Sequence, residues 1–163
     1  MFELKTISKA AITRSVEKAE HYRLLNEPAA AESICLDILQ ADPDNQQALV
    51  VLILALTDQF DRRLPESRPR ELLARLHDDY QRAYYAGIIC ERKARAQFAL
   101  SVPDANYAAY DWLREAMNCY EKAEAIHPPQ NDDATLRWNA CARMIMEHRL
   151  EARPAETFRP LLE

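Results

Sequence analysis

The amino-acid sequence predicts an all-α protein of about seven helices, and three observations carry that prediction. The chain contains a single glycine, Gly87, in 163 residues, where average usage is roughly 7%, and tight β-hairpin turns depend on glycine. Nearly every segment repeats apolar or small residues at spacings of three and four, the periodicity of a helix with one buried face. Proline-marked breaks separate those segments, and proline is favoured at helix starts and just beyond helix ends.

The first helix is expected from about Thr6 or Ser8 to Leu25, with Ile12, Val16, Ala19, Tyr22 and Leu24 or Leu25 as its buried stripe. Asn26-Glu27-Pro28 breaks the chain and starts a second helix, Pro28 to about Gln40, which buries Ala31, Ile34, Cys35, Ile38 and Leu39. Asp42-Pro43-Asp44-Asn45 ends it and caps the third, Gln46 to about Phe60. A turn that short makes the two helices antiparallel. The third helix is apolar on more than one face, through Leu49, Val50, Leu52, Ile53, Leu54 and Leu56, so it is expected at the centre of the array or with one face awaiting a partner.

Asp61 to Pro69 lapses into charges and prolines, and a short fourth helix is expected from about Arg70 to His77. The fifth spans Asp78 or Asp79 to Leu100 with Ala83, Ala86, Gly87, Cys90, Ala94 and Phe98 inward. A loop around Pro103 leads to the sixth, Tyr107 to Ile126, which His127-Pro128-Pro129 stops. The seventh runs from about Asp132 to Leu150, and residues 152–163 form a tail on a single domain, 1–163.

Composition narrows function. A net charge of −5 without a compensating basic run disfavours nucleic acid. Arg62, Arg63, Arg68 and Arg70 are interleaved with Asp61, Glu66 and Glu71, as in a solvated linker. One glycine excludes the Gly-rich phosphate loops, which need several to let backbone amides approach phosphate. Met1-Phe2-Glu3-Leu4-Lys5 lacks a secretory signal's basic head and apolar core, and no apolar run reaches the ~18 residues of a membrane span. Cys35, Cys90, Cys119 and Cys141 are widely spaced within helical patterns, so reduced, mostly buried thiols in a cytoplasmic protein are expected.

Catalytic and metal chemistry is not expected either, and no cofactor is implied. His21, His77, His127 and His148 are scattered, and no Cys/His pair has metal-ligand spacing. Asp78-Asp79 and Asp132-Asp133 precede helices, where negative charge suits the unpaired N–H groups, so they are read as caps. The cysteines fall on or near packing faces, where a thiol without a cationic neighbour is inert.

Internal repetition gives a more specific reading. Ala116-x3-Tyr120-x2-Ala123-x4-Pro128 closely resembles the second-helix half of a tetratricopeptide repeat, and Ala31-x3-Cys35-x2-Ile38-x4-Pro43 is a weaker copy. Small residues at the first and third positions let paired helices approach, the larger residue fills the space between hairpins, and proline resets the chain. Gly87 falls at the small-residue contact of a first helix, and Tyr22 at its tyrosine. The resemblance covers roughly residues 8–150 and implies a right-handed superhelix of about three antiparallel hairpins plus a capping helix. It departs from the consensus in lacking the opening tryptophan, in the proline-rich insertion before the fourth helix and in the lengthened turn at Pro103.

The resemblance further implies a concave groove lined by the first helices of successive hairpins. Its expected lining is Thr13, Glu20 and Arg23 from the first helix; Gln47, Val50, Leu54 and Thr57 from the third; Gln81, Tyr84, Ile88 and Arg92 from the fifth; Asn139 and Arg143 from the last. An apolar middle and a cationic end suit a helix or extended peptide with an aliphatic anchor and an acidic group. The alternative reading makes Val50, Leu54 and Ile88 ordinary core, with the arginines paired to Glu91 or Glu147 on the surface. A protein-interaction scaffold follows from the first reading. A self-assembling homo-oligomer, using the third helix or an exposed Tyr84 and Tyr85, is the second expectation.

Overall fold

The computed structural model describes residues 1–155, and among them every regular element is helical. After a 3₁₀ turn at Lys9–Ala11 come α1 (Ile12–Leu24), α2 (Pro28–Ala41), α3 (Gln46–Thr57), α4 (Ser67–Leu72), α5 (Asp79–Phe98), α6 (Ala105–Glu124) and α7 (Asp133–His148). Further 3₁₀ turns follow α3, at Phe60–Arg62, and α4, at Leu73–Arg75. Residues 152–155 of the expected tail carry no helix, and the remainder of that tail lies outside the described residues.

Local chemistry accounts for four of the helix starts. Pro28 opens α2, where its missing N–H leaves no bond unmade. Asn45 caps α3, its Oδ1 accepting from the Ala48 N–H at 2.9 Å, and Asp78 caps α5 by accepting from the Tyr80 N–H at 3.0 Å. The expected cap at Asp132-Asp133 is corrected: Asn131 Oδ1 accepts from the Asp133 N–H at 3.0 Å, and Asp133 adds only its charge to the first turn.

The fourth helix is also corrected. It starts at Ser67 rather than near Arg70, because Pro69 sits within the first turn, where no intrahelical N–H is required. Its side chain is buried, and the helix tightens to 3₁₀ before Leu76 turns extended and buries its side chain. Elsewhere the helix ends fall within a few residues of expectation.

Helices adjacent in sequence pack as antiparallel neighbours, α1 with α2, α2 with α3, α5 with α6 and α6 with α7. The odd-numbered helices also touch in series, α1 with α3 and α3 with α5. Two core clusters result. The first gathers α1 to α3, with Leu49, Ile53 and Leu56 at its heart; the second gathers α5 to α7 around Tyr120, Leu113 and Cys141. Full burial of each such aliphatic side chain contributes roughly 1.5–3 kcal/mol. Ile89 of α5 enters the first cluster and Leu54 of α3 packs on the second, which locks the two together.

The helical positions of both repeat-like motifs lie inside, Ala31, Cys35, Ile38, Ala116, Tyr120 and Ala123 each being 0% exposed, while their closing prolines, Pro43 and Pro128, are exposed. Gly87 shows why α5 and α6 come so close. A Cβ added there would stand 2.4 Å from Tyr120 Cε1, far inside van der Waals contact. With its only glycine at a packing position, the chain makes its left-handed turns with other residues: Asn26, Arg63, Asp104, Gln130 and Arg149 all have positive φ.

Candidate functional site: a guanidinium-lined groove on the odd-numbered helices

Charged side chains bridge α1, α3, α5 and α7 in two networks that adjoin one hollow and form a seam. Asp58, just past the end of α3, accepts from Arg23 Nε of α1 at 2.7 Å and from Arg92 Nη1 of α5. One carboxylate thereby ties three helices together. Arg92 is partly buried, and burial lowers its pKa; Arg23 and Arg137 push the same way, while Asp58 opposes them.

Deeper in the seam, Glu91 of α5 is 1% exposed and accepts from Arg137 Nη2 of α7. Cys141 Sγ donates to its Oε1 at 3.5 Å, and Arg95 Nη2 stands 3.9 Å away. Burial works against the Arg137 charge, but Glu91 outweighs it and the guanidinium pKa is raised. The same surroundings push the Cys141 thiol up to about 12, burial first and Glu91 second. The Tyr120 hydroxyl and Arg137 Nε lie beside one another, both buried and neither with a well-formed hydrogen bond. Burial, reinforced by Glu91, raises the Tyr120 pKa as well.

Two hollows open onto this seam and share Arg95 as their common wall. The first, about 530 Å³, lies between the end of α3 and α5, with Asp58, Asp61, Arg92, Arg95 and Arg137 around the apolar surface of Phe60, Ala96 and Ala99. The second, about 470 Å³, lies between α5 and α7 and is formed by Phe98, Ala140, Met144, Arg143, Glu147 and His148 beside Arg95. Arg143 makes no ion pair among the described residues, and Arg95 has only its long contact to Glu91. Seam and hollows together hold five guanidiniums against four carboxylates, a local positive excess in a chain of net charge −5. A hollow of about 600 Å³ near the α5–α6 turn has less to offer an anion, since Asp104 and Glu151 line it against the single guanidinium of Arg149.

The residues expected to line the groove divide into three groups. Glu20, Gln47, Val50 and Gln81 do converge, from α1, α3 and α5, on a small hollow of about 170 Å³. Arg23 and Arg92 converge on Asp58, and Thr57 lines the first hollow although its hydroxyl donates to the Leu54 carbonyl. Arg143 lines the second hollow, while Asn139 is half-buried on α7 and lines neither of the two; Thr13 is simply exposed.

One of the expected lining residues is corrected. Ile88 is buried in the second cluster, because α5 packs against α6 on one side and α3 on the other and leaves no free face from Gly87 to Glu91. Leu54 is half-buried against the same cluster. Tyr84 is half-buried in an aromatic group, stacked on Tyr80 with ring centroids 5.7 Å apart, and burial pushes its phenol up to about 12. The surfaces named for self-assembly are in large part covered. Most of α3 is covered within the chain, and Tyr85 is half-buried between the two clusters rather than exposed.

Arg137 and Arg95 were not among the expected groove residues, and Glu91, which the alternative reading paired with arginine on the surface, is buried. A signal was present. Glu91 stands four after Gly87 and three before Ala94, and Arg137 three after Ala134 and four before Cys141, so each occupies the packing stripe of its helix. Opposite charges on the buried stripes of two helices mark an interhelical pair.

No protein-family model matches the chain, and neither a curated protein nor a solved structure matches it.

Proposed function

We propose that the chain is a protein-interaction module that holds a peptide segment of a partner in the groove over α3, α5 and α7. The segment carries an acidic group beside an aliphatic anchor. On this reading the helices form a tetratricopeptide-like right-handed superhelix, the groove is its concave face, and the protein acts as a scaffold without catalytic role or cofactor. The contacts of α1 with α3 and α3 with α5, and the burial of the helical positions of both repeat-like motifs, support the architecture. The four free thiols suit a reducing compartment, the cytoplasm.

One observation carries the functional reading. Arg92, Arg95 and Arg137 crowd a hollow with an apolar wall, and the adjoining hollow adds Arg143 beside Phe98 and Met144. Guanidiniums this close repel one another, and an incoming carboxylate relieves that repulsion while its neighbouring aliphatic side chain covers apolar surface. Arg95 and Arg143 are the exposed members and meet the ligand first.

The test is fluorescence anisotropy with a panel of labelled peptides in which one Glu or Asp is flanked by Leu or Ile. Members of the panel bind, and the double variant Arg95→Glu/Arg143→Glu weakens them by about tenfold or more, since each reversal replaces attraction by repulsion. Raising salt weakens the wild-type complex as well. A panel with no binding member, or equal affinity for the variant, contradicts the proposal.

A further inference from the structure

The described residues end close to the groove. Arg149, left-handed at φ 50°, reverses the backbone after α7, and the Leu150 N–H donates to the Ile145 carbonyl at 3.0 Å to close that turn. Leu150 then buries its side chain in the second core cluster. Three residues on, Arg153 Nη2 stands 3.2 Å from Asp104 Oδ2, and its guanidinium lies 5.2 Å from the centre of the Tyr107 ring. The chain is thereby held against the start of α6, at the hollow of about 600 Å³ that Asp104 and Tyr107 line.

Phe98 and His148, with ring centroids 4.5 Å apart, line that hollow and the hollow of Arg95 and Arg143 alike, so the two adjoin across one ring pair. Eight residues, 156–163, follow Ala155. At about 3.3–3.6 Å per residue they span at most roughly 26–29 Å, enough to pass a single ring pair.

The chemistry of those eight residues fits the groove. Their charged members are Glu156, Arg159 and Glu163, two carboxylates and one guanidinium. The hollow between α5 and α7 offers the inverse, the guanidiniums of Arg95 and Arg143 with the single carboxylate of Glu147. Leu161-Leu162-Glu163 sets an acidic side chain directly beside an aliphatic pair, the class of ligand proposed for the groove, and Phe98, Ala140 and Met144 supply apolar surface for it.

We propose, resting on that reading of the groove, that residues 156–163 occupy the chain's own groove, Glu163 serving as the acidic group and Leu161 and Leu162 as the anchor, in competition with a partner's segment. A tether this short presents the tail at an effective concentration on the order of millimolar, so a weak intrinsic affinity suffices to keep the groove largely filled. A partner's peptide then binds with an affinity reduced by the fraction of protein whose groove is open.

The test compares the full-length wild type with the full-length variant Leu161→Ser/Leu162→Ser/Glu163→Gln, using the panel of labelled acidic peptides in fluorescence anisotropy. A synthetic peptide of residues 156–163 with an amidated C-terminus, whose only carboxylates are those of Glu156 and Glu163, serves as competitor. The variant binds the panel about fivefold or more tighter than the wild type, and the competitor displaces the panel from it. The inference is overturned if wild type and variant bind the panel equally, or if the competitor displaces nothing at millimolar concentration. It is also overturned if the wild type sediments as a concentration-dependent dimer that the variant does not form, which would put the tail in the groove of a second copy. Each of those results leaves the groove reading intact, because the panel still binds. A panel that binds neither chain removes the groove reading itself, and the inference with it.

Discussion

Replacing Arg137 by alanine is expected to destabilise the protein by about 3–5 kcal/mol, because it strands a carboxylate that folding has removed from water. Glu91 is 1% exposed, and its other cationic neighbour, Arg95, is 3.9 Å away on the rim, too distant to take over a direct hydrogen bond. Breaking a buried pair leaves the full desolvation cost of the survivor, whereas replacing both members with apolar groups of similar volume is often neutral or favourable. The double variant Glu91→Leu/Arg137→Met therefore recovers most of the loss. Denaturant unfolding of Glu91→Leu, Arg137→Met and the double variant closes a cycle that isolates the pair. If Arg137→Ala costs under about 1 kcal/mol, as a surface ion pair would, the buried assignment of Glu91 is wrong.

Gly87→Val is expected to be as damaging, by a different route. The added Cβ meets the Tyr120 ring at 2.4 Å, and that ring is 0% exposed, so it has nowhere to move without separating α5 from α6. Overpacking of this kind costs about 1–3 kcal/mol and sometimes more, and the second methyl of valine takes it to the upper end. For a chain of this size that lowers Tm by roughly 6–12 °C. The smaller change, Gly87→Ala, separates packing from helix propensity. Propensity alone favours alanine by about 1 kcal/mol, so a net loss of stability on thermal denaturation shows that the contact with Tyr120 dominates, and a net gain would show that it does not.

These two sites mark where sequence reasoning reached and where it stopped. Gly87 was legible because a lone glycine within a helical pattern, flanked by Ala83 and Cys90, has little use except close packing. Periodicity likewise located α1 to α3 and α5 to α7. It misplaced α4, because Pro69 reads as a breaker until its place in the first helical turn is known.

The groove was less legible, for a related reason. Assigning a face by opposition to the packing stripe assumes that a helix buries one side only. The middle of α5 buries every residue from Gly87 to Glu91 between α3 and α6, so Ile88, nominally on the open face, is core. Near the helix's C-terminal end the neighbours diverge, and there Arg92 and Arg95 reach the hollows. Arg143 was identifiable from its helix alone, whereas the pairing of Arg23 and Arg92 through Asp58 joins three helices and appears only once they are packed.

The most direct test of the groove is amide hydrogen exchange of the protein alone and saturated with the tightest-binding peptide of the acidic panel. Slowed exchange is expected in the turn after α3, residues 58–62, in the second half of α5, residues 92–99, and along the facing part of α7, residues 137–148, with α2 and α6 unchanged. Protection confined to α2 or α6, with those three segments exchanging as in the free protein, would place the binding surface on the opposite face and contradict the groove assignment.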